Sequence, residues 1–215
     1  MTQTQGTVYL VDDDPNMRKA LMRFLKTNGL RAQAFGSARE FLDRKSSDTP
    51  ACLVLDIRMP GMSGLDLQTE LAKQNKQLPI VFITGHGDVR MSVQAMKGGA
   101  IDFLLKPFAD DDLLAVIHQA LKKDKRHSEA RAEQEQIQDR LRTLTPRERQ
   151  VFEFVIQGLL NKQIAGKLGA SEPTIKVHRH RLMEKMGVTS VAELVQAAIK
   201  IDALRPSGEL NAEKE

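Results

Sequence analysis

The stretch TVYLVDDDPNMRKALMRFLKTNG, residues 7–29, joins an apolar run to a helical pattern across three consecutive aspartates. Residues 7–11 are apolar and rich in strand-forming side chains, which is typical of a buried strand. Residues 15–29 begin with Pro15 near the first helical position, repeat apolar side chains at helical spacing and end at Gly29. This unit predicts a parallel sheet in which a strand ends at crowded carboxylates.

The same alternation of patterns recurs as far as residue 121. Further apolar runs of strand length are RAQAF (31–35), CLVL (52–55), PIVFI (79–83) and IDFLL (101–105). Helical patterns lie between them, and one opens with Ser37 and Glu40 at the spacing of a capping box. Repeated strand–helix alternation predicts an α/β domain with a doubly wound, five-stranded parallel sheet.

Composition limits the class of protein. Apolar residues make up 41% of the chain and charged residues 28%, which is ordinary for globular proteins. No segment approaches the ~20 apolar residues of a membrane span, and the N-terminus lacks the features of a signal peptide. The single cysteine, Cys52, lies in an apolar run and is predicted to be a core residue. We therefore expect a cytoplasmic protein without a membrane partner.

After residue 121 the character of the sequence changes. Residues 122–142 are polar and helix-prone, and are predicted to form a solvated helical linker that continues the fifth helix; a charged spacer with no further role explains them equally well. Residues 143–204 hold only helical patterns and predict a small all-α helix-turn-helix domain, followed by a disordered tail at 205–215. The net charge of +4 arises after residue 121, so a nucleic-acid partner is expected there.

Polar side chains follow four of the predicted strands. They are Asp12 and Asp13 after the first, Asp56 after the third, Thr84 after the fourth and Lys106 after the fifth. An aspartate after a strand is more often a turn or cap residue, and a lone lysine is usually solvated. The carboxyl ends of parallel strands meet at one edge of the sheet, however, and crowded carboxylates there favour a hard cation such as Mg²⁺. Beside such a cation a carboxylate can act as a nucleophile towards phosphorus.

Residues 7–121 resemble the receiver domains of two-component response regulators. The motifs VDDD, LDIRMPGMSG, ITGHGD and GAIDFLLKPF carry the resemblance, in the order and at the spacing of that family. It implies a flavodoxin-like fold in which Asp56 accepts a phosphoryl group from a sensor histidine kinase. It implies Mg²⁺ as the cofactor, held by Asp12, Asp13, Asp56 and the backbone carbonyl of Arg58.

The resemblance also implies how the phosphoryl group is bound and sensed. Lys106 would pair with it, and Thr84 would donate its hydroxyl to it. Phe103 would be the aromatic switch where the family more often has tyrosine, and Pro107 would follow a cis peptide bond. Asp14 has no family role at the metal and is predicted to be a turn or cap residue; Arg58 and His86 would flank the site.

Residues 143–202 resemble the LuxR-type DNA-binding domains. The resemblance is carried by LTPRE, GLLNKQIAGKL and SEPTIKVHRHRLMEKMGV, with Leu160 where the family commonly has a capping serine. The third of these motifs contains the recognition helix, which enters the major groove of double-stranded DNA. Its implied DNA contacts are Lys176, Val177 and His180 at base edges, Arg179 at a base or phosphate, and Thr174, Lys162 and Arg181 at the backbone. A solvated basic face is the alternative explanation of this charge.

The two resemblances in this order indicate a response regulator of the LuxR/FixJ type. Phosphorylation of such a protein would promote homodimerisation and sequence-specific DNA binding, with RNA polymerase as a further partner. The residues expected at dimer contacts are Val93, Lys97 and Ile101 in the first domain, and Val191, Leu194, Val195 and Ala198 on the last helix. Packing within its own bundle explains the apolar stripe of that last helix equally well.

Two alternatives belong to different functional classes. The chain could be a constitutive DNA-binding regulator whose receiver does not signal, although the complete set of receiver residues argues against this. It could also be a phosphatase of the haloacid dehalogenase type, but these enzymes need an Asp two positions after the nucleophile, where this chain has Arg58. We therefore expect no enzymatic activity beyond self-dephosphorylation.

Overall fold

The computed structural model of the chain describes residues 6–44, 50–74, 78–85 and 89–202. The chain divides into two compact units, and the division falls between Ser128 and Glu129. His86 and the predicted tail at 205–215 lie outside the described residues. Within the described part, no helix carries an apolar stretch long enough to cross a bilayer.

The first unit is built on a parallel sheet of five strands. The strands are β1 (Thr7–Val11), β2 (Arg31–Phe35), β3 (Ala51–Asp56), β4 (Ile80–Thr84) and β5 (Asp102–Leu105). Their order across the sheet is β2-β1-β3-β4-β5, with every neighbouring pair parallel. This confirms the predicted doubly wound α/β fold, because all five apolar runs form strands within a residue or two of their predicted bounds.

Helices cover both faces of this sheet. They are α1 (Pro15–Thr27), α2 (Ala38–Leu42), α3 (Gly64–Lys73), α4 (Val89–Lys97) and α5 (Asp110–Arg142). Alternate side chains of the central strands enter two separate cores: one packs against α2, α3 and α4, the other against α1 and α5. Cys52 is fully buried in the second core, which confirms its predicted place.

The edge strand β2 departs from the continuously apolar pattern of a doubly covered sheet. Arg31 and Gln33 are exposed, and the strand's other side chains are only partly buried. A strand with a single neighbour is less completely covered, so it tolerates alternation of polar and apolar residues.

Local caps fix where the first helices begin. Asp14 is the N-cap of α1, and its carboxylate accepts from the N–H of Asn16 at 2.8 Å. Ser37 is the N-cap of α2 and accepts from the N–H of Glu40 at 3.2 Å. Both caps satisfy N–H groups that have no partner within the helix. Asp14 is therefore a cap residue, as its sequence position predicted.

The second unit contains four further helices among the described residues. They are α6 (Pro146–Ile156), α7 (Asn161–Leu168), α8 (Glu172–Met186) and α9 (Val191–Asp202). Apolar side chains from these helices lie together in one cluster, which includes Val151, Phe152, Val155, Ile164, Leu168, Ile175, Leu182 and Met186. The Thr145–Glu148 capping box opens α6, while Leu160 at the start of α7 offers no side-chain cap. The unit has the predicted helix-turn-helix arrangement.

The long helix α5 belongs to both units. It is 33 residues long, so residues 122–142 continue the fifth helix as predicted. Its end is not wholly solvated, however, because Ile137 is 9% exposed and packs in the core of the second unit. Leu141 packs against the same core, so the two large aliphatic side chains of this polar segment both contact the second unit.

Candidate functional site

The candidate site of the first unit lies where the winding of the sheet reverses. β1 has β2 on one side and β3 on the other, so the helices that follow β1 and β3 cover opposite faces. Ligands of such sheets bind beyond the carboxyl ends of the strands at this reversal. Val11 pairs with Leu55, so Asp12 and Asp56 are the next residues along two neighbouring strands.

Two of the three aspartates after β1 differ sharply in exposure. Asp12 is fully buried, and one of its carboxylate oxygens accepts from the N–H of Asp14 at 2.8 Å. Asp13 is exposed and points its carboxylate towards the same site. Arg18 on α1 donates to the backbone carbonyl of Asp12 at 2.6 Å, which fixes the loop that carries both carboxylates.

Asp56 ends β3 and is 7% exposed. Its Oδ1 accepts from the N–H of Arg58 at 3.1 Å. The helix α3 begins very close to it, since a Cβ on Gly64 would collide with the carbonyl oxygen of Asp56. Gly64 thus permits the approach of α3 to the site.

Lys106 connects the two buried carboxylates. Its Nζ donates to Oδ2 of Asp12 and to Oδ2 of Asp56, at 2.7 Å in each case. Burial lowers the pKa of Lys106, but the hydrogen bonds and charges of the two aspartates outweigh it, so the pKa is raised overall. The bond between Lys106 and Pro107 is cis, as the resemblance implied.

The three carboxylates fit a hard divalent cation. Ligand oxygens of Asp12, Asp13 and Asp56 all lie within 4.8 Å of one another. Magnesium takes oxygen ligands, keeps several waters and shares the remainder with phosphates, so one exposed and two buried carboxylates suit it. The arrangement is compatible with the predicted Mg²⁺ site.

The other predicted receiver residues lie on β4, on β5 and just after β3. Thr84 ends β4 and is 1% exposed, and its carbonyl accepts from the N–H of Lys106 at 2.8 Å. Phe103 lies on β5, partly buried against the core under α3 and α4. Arg58 is exposed at the rim.

The second unit presents a basic helix to solvent. The predicted DNA-contact residues Lys162, Thr174, Lys176, Val177, His180 and Arg181 are all exposed. Arg179 is partly buried instead, and its guanidinium donates to the side-chain oxygen of Asn161 at 3.0 Å. The structure therefore ties Arg179 to the start of α7, a contact that the sequence pattern did not reveal.

An ion pair joins α8 to α6. Lys185 on α8 donates to the Glu148 carboxylate at 2.6 Å, and Glu148 is 3% exposed. The hydrogen bond from Lys185 is the main cause that lowers the pKa of Glu148, to about 2. The two residues lie 37 positions apart, so the sequence pattern did not predict this pairing.

The residues predicted at dimer contacts are placed unevenly. Val93 and Lys97 are exposed on α4, whereas Ile101 is partly buried against the core under α1 and α5. On α9, Leu194 is fully buried in the core of its own unit, with Val191 and Ala198 packed against it. The burial of Leu194 supports the alternative in which this part of the apolar stripe packs within its own bundle.

Comparisons with known families find a different family model in each of the two units. The family model "Response regulator receiver domain" matches residues 8–118. The model "Bacterial regulatory proteins, luxR family" matches residues 142–198. Each match covers one of the two candidate sites described above.

Similar proteins cover most of the chain. Nodulation protein W of Bradyrhizobium diazoefficiens is 48% identical over 193 residues, which span 90% of this chain and 85% of that protein. Transcriptional regulatory protein FixJ of the same organism is 42% identical over 201 residues, 94% of this chain and 98% of its own. The solved structure of the response regulator StyR is 47% identical with a TM-score of 0.83, covering 91% of this chain and 98% of that one.

Proposed function

The chain belongs to the response regulators that join a receiver domain to a LuxR-type DNA-binding domain, and from this premise we propose that Asp56 is its phosphoacceptor. The phosphoryl donor is a sensor histidine kinase, the reaction depends on Mg²⁺, and its outcome is dimerisation and sequence-specific DNA binding. The domains proposed are 1–121 and 143–204, joined by the linker 122–142. The bridge that Lys106 forms between Asp12 and Asp56 is the observation that carries the proposal.

The metal ligands proposed are Asp12, Asp13, Asp56 and the backbone carbonyl of Arg58. Their support is the clustering of the three carboxylates and the exposure of Asp13, which leaves the site open to solvent. Bound there, Mg²⁺ neutralises charge on the carboxylates and on the incoming phosphoryl oxygens. Asp12 and Asp56 share the ammonium group of Lys106, so the negative charge of these carboxylates is balanced only in part by the protein.

Asp56 acts as the nucleophile. One of its carboxylate oxygens forms a bond to phosphorus as the bond from phosphorus to the kinase histidine nitrogen breaks, and that nitrogen keeps the electron pair. Lys106 then exchanges its contact with the Asp56 carboxylate for one with the phosphoryl group. Thr84, at the end of the neighbouring strand, donates its hydroxyl to a phosphoryl oxygen.

The switch proceeds from Thr84 to the surface. Movement of Thr84 towards the phosphoryl group makes space for Phe103, which is only partly buried and can repack. Repacking changes the face formed by α4 and β5, where Val93 is 47% exposed and Lys97 is also exposed. This face is the proposed dimer contact, and phosphorylation shifts a population that already exists.

The DNA-binding unit contacts the duplex through α8. Lys176, Val177 and His180 are proposed at base edges, and Lys162, Thr174 and Arg181 at phosphates, with Arg179 held near the DNA by Asn161. All of these residues except Arg179 are exposed, which supports the assignment. Dimerisation would place two such helices on two half-sites, and RNA polymerase is a further proposed partner.

Phosphorylation is tested with acetyl phosphate labelled at phosphorus. We expect the full chain to take up label with Mg²⁺ and none in EDTA, Asp56→Asn to take up none, and Asp13→Asn to be strongly impaired. Asp14→Asn is the matched control, because asparagine preserves this exposed cap and removes the same charge. Labelling of Asp56→Asn, or labelling in EDTA, would reject the proposed chemistry.

Dimerisation is tested by light scattering on the same samples. We expect the labelled chain to double in mass, and Val93→Asp to remain monomeric although it is labelled normally. An unlabelled chain that is already dimeric, and that binds DNA as tightly as the labelled one, would favour the constitutive regulator instead.

A further inference from the structure

We propose that the end of α5 clamps the last turn of α8, and that Arg140 is a positioning residue for the DNA-contacting helix. The inference rests on the DNA-binding role proposed above for α8. It extends the DNA-binding unit to residues that precede the LuxR-family match at 142–198.

Arg140 caps the carboxyl end of α8. One guanidinium nitrogen donates to the backbone carbonyl of Met186 at 2.9 Å. Two other carbonyl groups at this end of α8 accept hydrogen bonds from nearby backbone. The N–H of Val188 donates to the carbonyl of Met183 at 3.1 Å, and the N–H of Gly187 donates to the carbonyl of Glu184 at 3.0 Å. Arg140 thus supplies a donor that the chain reversal does not, and its positive charge complements the negative end of the helix dipole.

The backbone at Gly187 leaves room for this guanidinium. A Cβ at Gly187 would lie 2.7 Å from a terminal nitrogen of Arg140 and 3.0 Å from its Cζ. Gly187 also has a φ of 64°, a conformation that other residues rarely adopt. The glycine therefore serves both the reversal of the chain and the approach of Arg140.

A second hydrogen bond runs in the opposite direction. Lys185 in the last turn of α8 donates to the carbonyl of Thr143, directly after α5, at 3.2 Å. Its Nζ also donates to Glu148, as described above. The end of α5 and the end of α8 are thus joined by one donor from each side.

Further contacts dock the preceding turns of α5 in the same unit. Ile137 lies in its core, and Glu133 pairs with Lys200 of α9 at 2.6 Å. Gln134 donates to the backbone carbonyl of Lys200 at 3.3 Å. Arg140 is consequently held on a helix that is itself fixed against the unit, so it can set the orientation of α8.

The clamp matters more for base contacts than for phosphate contacts. Hydrogen bonds to base edges need a defined orientation of α8, whereas attraction to phosphates depends mainly on charge. A loosened α8 should therefore lose sequence discrimination before it loses general affinity for DNA.

The test uses the full chain with Arg140→Ala, Arg140→Lys and the control Arg142→Ala. Arg142 lies on the same helix, is 74% exposed and pairs with Asp139 three residues away, so its replacement removes the same charge at an exposed position. The probe is a duplex that the wild-type chain enriches from a random library in the presence of Mg²⁺ and acetyl phosphate. A scrambled duplex of equal length reports non-specific binding.

We expect Arg140→Ala to bind the enriched duplex about tenfold more weakly, the size of one charge-assisted hydrogen bond, and the scrambled duplex almost unchanged. Arg140→Lys should recover part of the lost affinity for the enriched duplex, and Arg142→Ala should bind both duplexes as the wild type does. Amide exchange of residues 183–189 in the DNA-free chain should rise in Arg140→Ala only.

Three results would overturn the inference. In the first, Arg140→Ala discriminates between the two duplexes as well as the wild type does. In the second, Arg142→Ala loses as much affinity for the enriched duplex as Arg140→Ala does. In the third, Arg140→Ala loses affinity for both duplexes equally and its salt slope falls by about one, which is the sign of a direct phosphate contact. A wild-type chain that enriches no duplex would reject the DNA-binding role itself. The amide-exchange result then still decides whether Arg140 restrains α8.

Discussion

At the scale of single residues, the ammonium group of Lys106 neutralises charge at the acidic site. Asp12 is fully buried and Asp56 nearly so, and two such carboxylates repel each other. Lys106 contacts both at 2.7 Å and is itself 16% exposed along its side chain. It therefore acts as an internal counterion to both carboxylates.

Lys106→Ala should destabilise the first unit in the absence of divalent cations. Removing one member of a buried ion cluster leaves uncompensated charge, and we expect a loss of about 3 kcal/mol in the free energy of unfolding. Added Mg²⁺ should recover part of it, because the metal neutralises the same carboxylates. Denaturant unfolding with and without Mg²⁺ measures both effects.

The control is Lys73→Ala, whose lysine is 70% exposed on α3. We expect this change to stay within ~0.5 kcal/mol of the wild type. Equal losses in the two variants would contradict the role of Lys106 as a counterion.

Glu148 should make the second unit sensitive to acid. Its folded pKa of about 2 lies below the ordinary value of 4.5, so the bond to Lys185 stabilises the fold above pH 4.5. That contribution is lost as the pH falls from about 4.5 to about 2. Glu148→Gln should lower stability by about 1–2 kcal/mol at neutral pH and flatten the profile in this range.

Unfolding of the full chain between pH 7 and pH 2, followed by the helical signal of the second unit, provides the measurement. Glu153→Gln serves as the control, since Glu153 is exposed on the same helix. A wild-type profile with the same slope as that of Glu148→Gln would show that the ion pair does not carry this dependence.

At the scale of elements, the packing of α3 against α4 depends on one buried amide. Gln68 on α3 is 6% exposed and donates to the backbone carbonyl of Ala95 on α4 at 3.0 Å. Gly98, just beyond α4, leaves space for it, since a Cβ there would lie 2.5 Å from the Gln68 side-chain oxygen. The hydrogen bond fixes α4, the helix that carries the proposed dimer face.

Gly98→Ala should therefore destabilise the first unit by about 1–3 kcal/mol, because the displaced amide leaves the Ala95 carbonyl unpaired. Gly166→Ala is an informative contrast. Gly166 lies inside α7 with open space around it, so alanine should stabilise the second unit by about 0.5–1 kcal/mol. Thermal unfolding of both variants tests the pair, and a stabilising Gly98→Ala would disprove the steric account.

At the scale of the whole molecule, the two units have separate cores that share the helix α5. Leu113, Ile117 and Leu121 near its start are buried in the first unit, and Ile137 near its end in the second. Between them α5 presents mostly exposed polar side chains. Separate cores favour separate unfolding transitions.

Calorimetry of the full chain should resolve two unfolding transitions, and Mg²⁺ should raise the midpoint temperature of only one of them. At a free Mg²⁺ concentration about 100-fold above its dissociation constant, mass action predicts a gain of about 2.7 kcal/mol for the unit that binds it. Asp13→Asn should abolish most of this shift and leave the other transition unchanged. A shift of both transitions by Mg²⁺ would mean that the units unfold together.

Local sequence signals were sufficient for most of the fold. Apolar runs predicted the strands because a doubly covered strand must be apolar throughout. Caps at Asp14 and Ser37 were predictable because their hydrogen bonds join residues that are neighbours in the sequence. The candidate acidic site followed from the same pattern, since strand ends converge in any parallel sheet. The dimer stripe on α9 was ambiguous because periodicity gives the apolar face of a helix but not what covers it.

The sequence by itself determined the sheet, its winding and the set of polar side chains brought to its edge. Only the tertiary structure decided that Lys106 bridges Asp12 and Asp56, that Leu194 faces inward, and that the polar helix α5 ends against α8. The physical reason is distance along the chain. Arg140 and Met186 lie 46 residues apart, and Gln68 and Ala95 lie 27 apart. Such partners leave no periodic or short-range signature, so they become visible only when the packed cores bring them together.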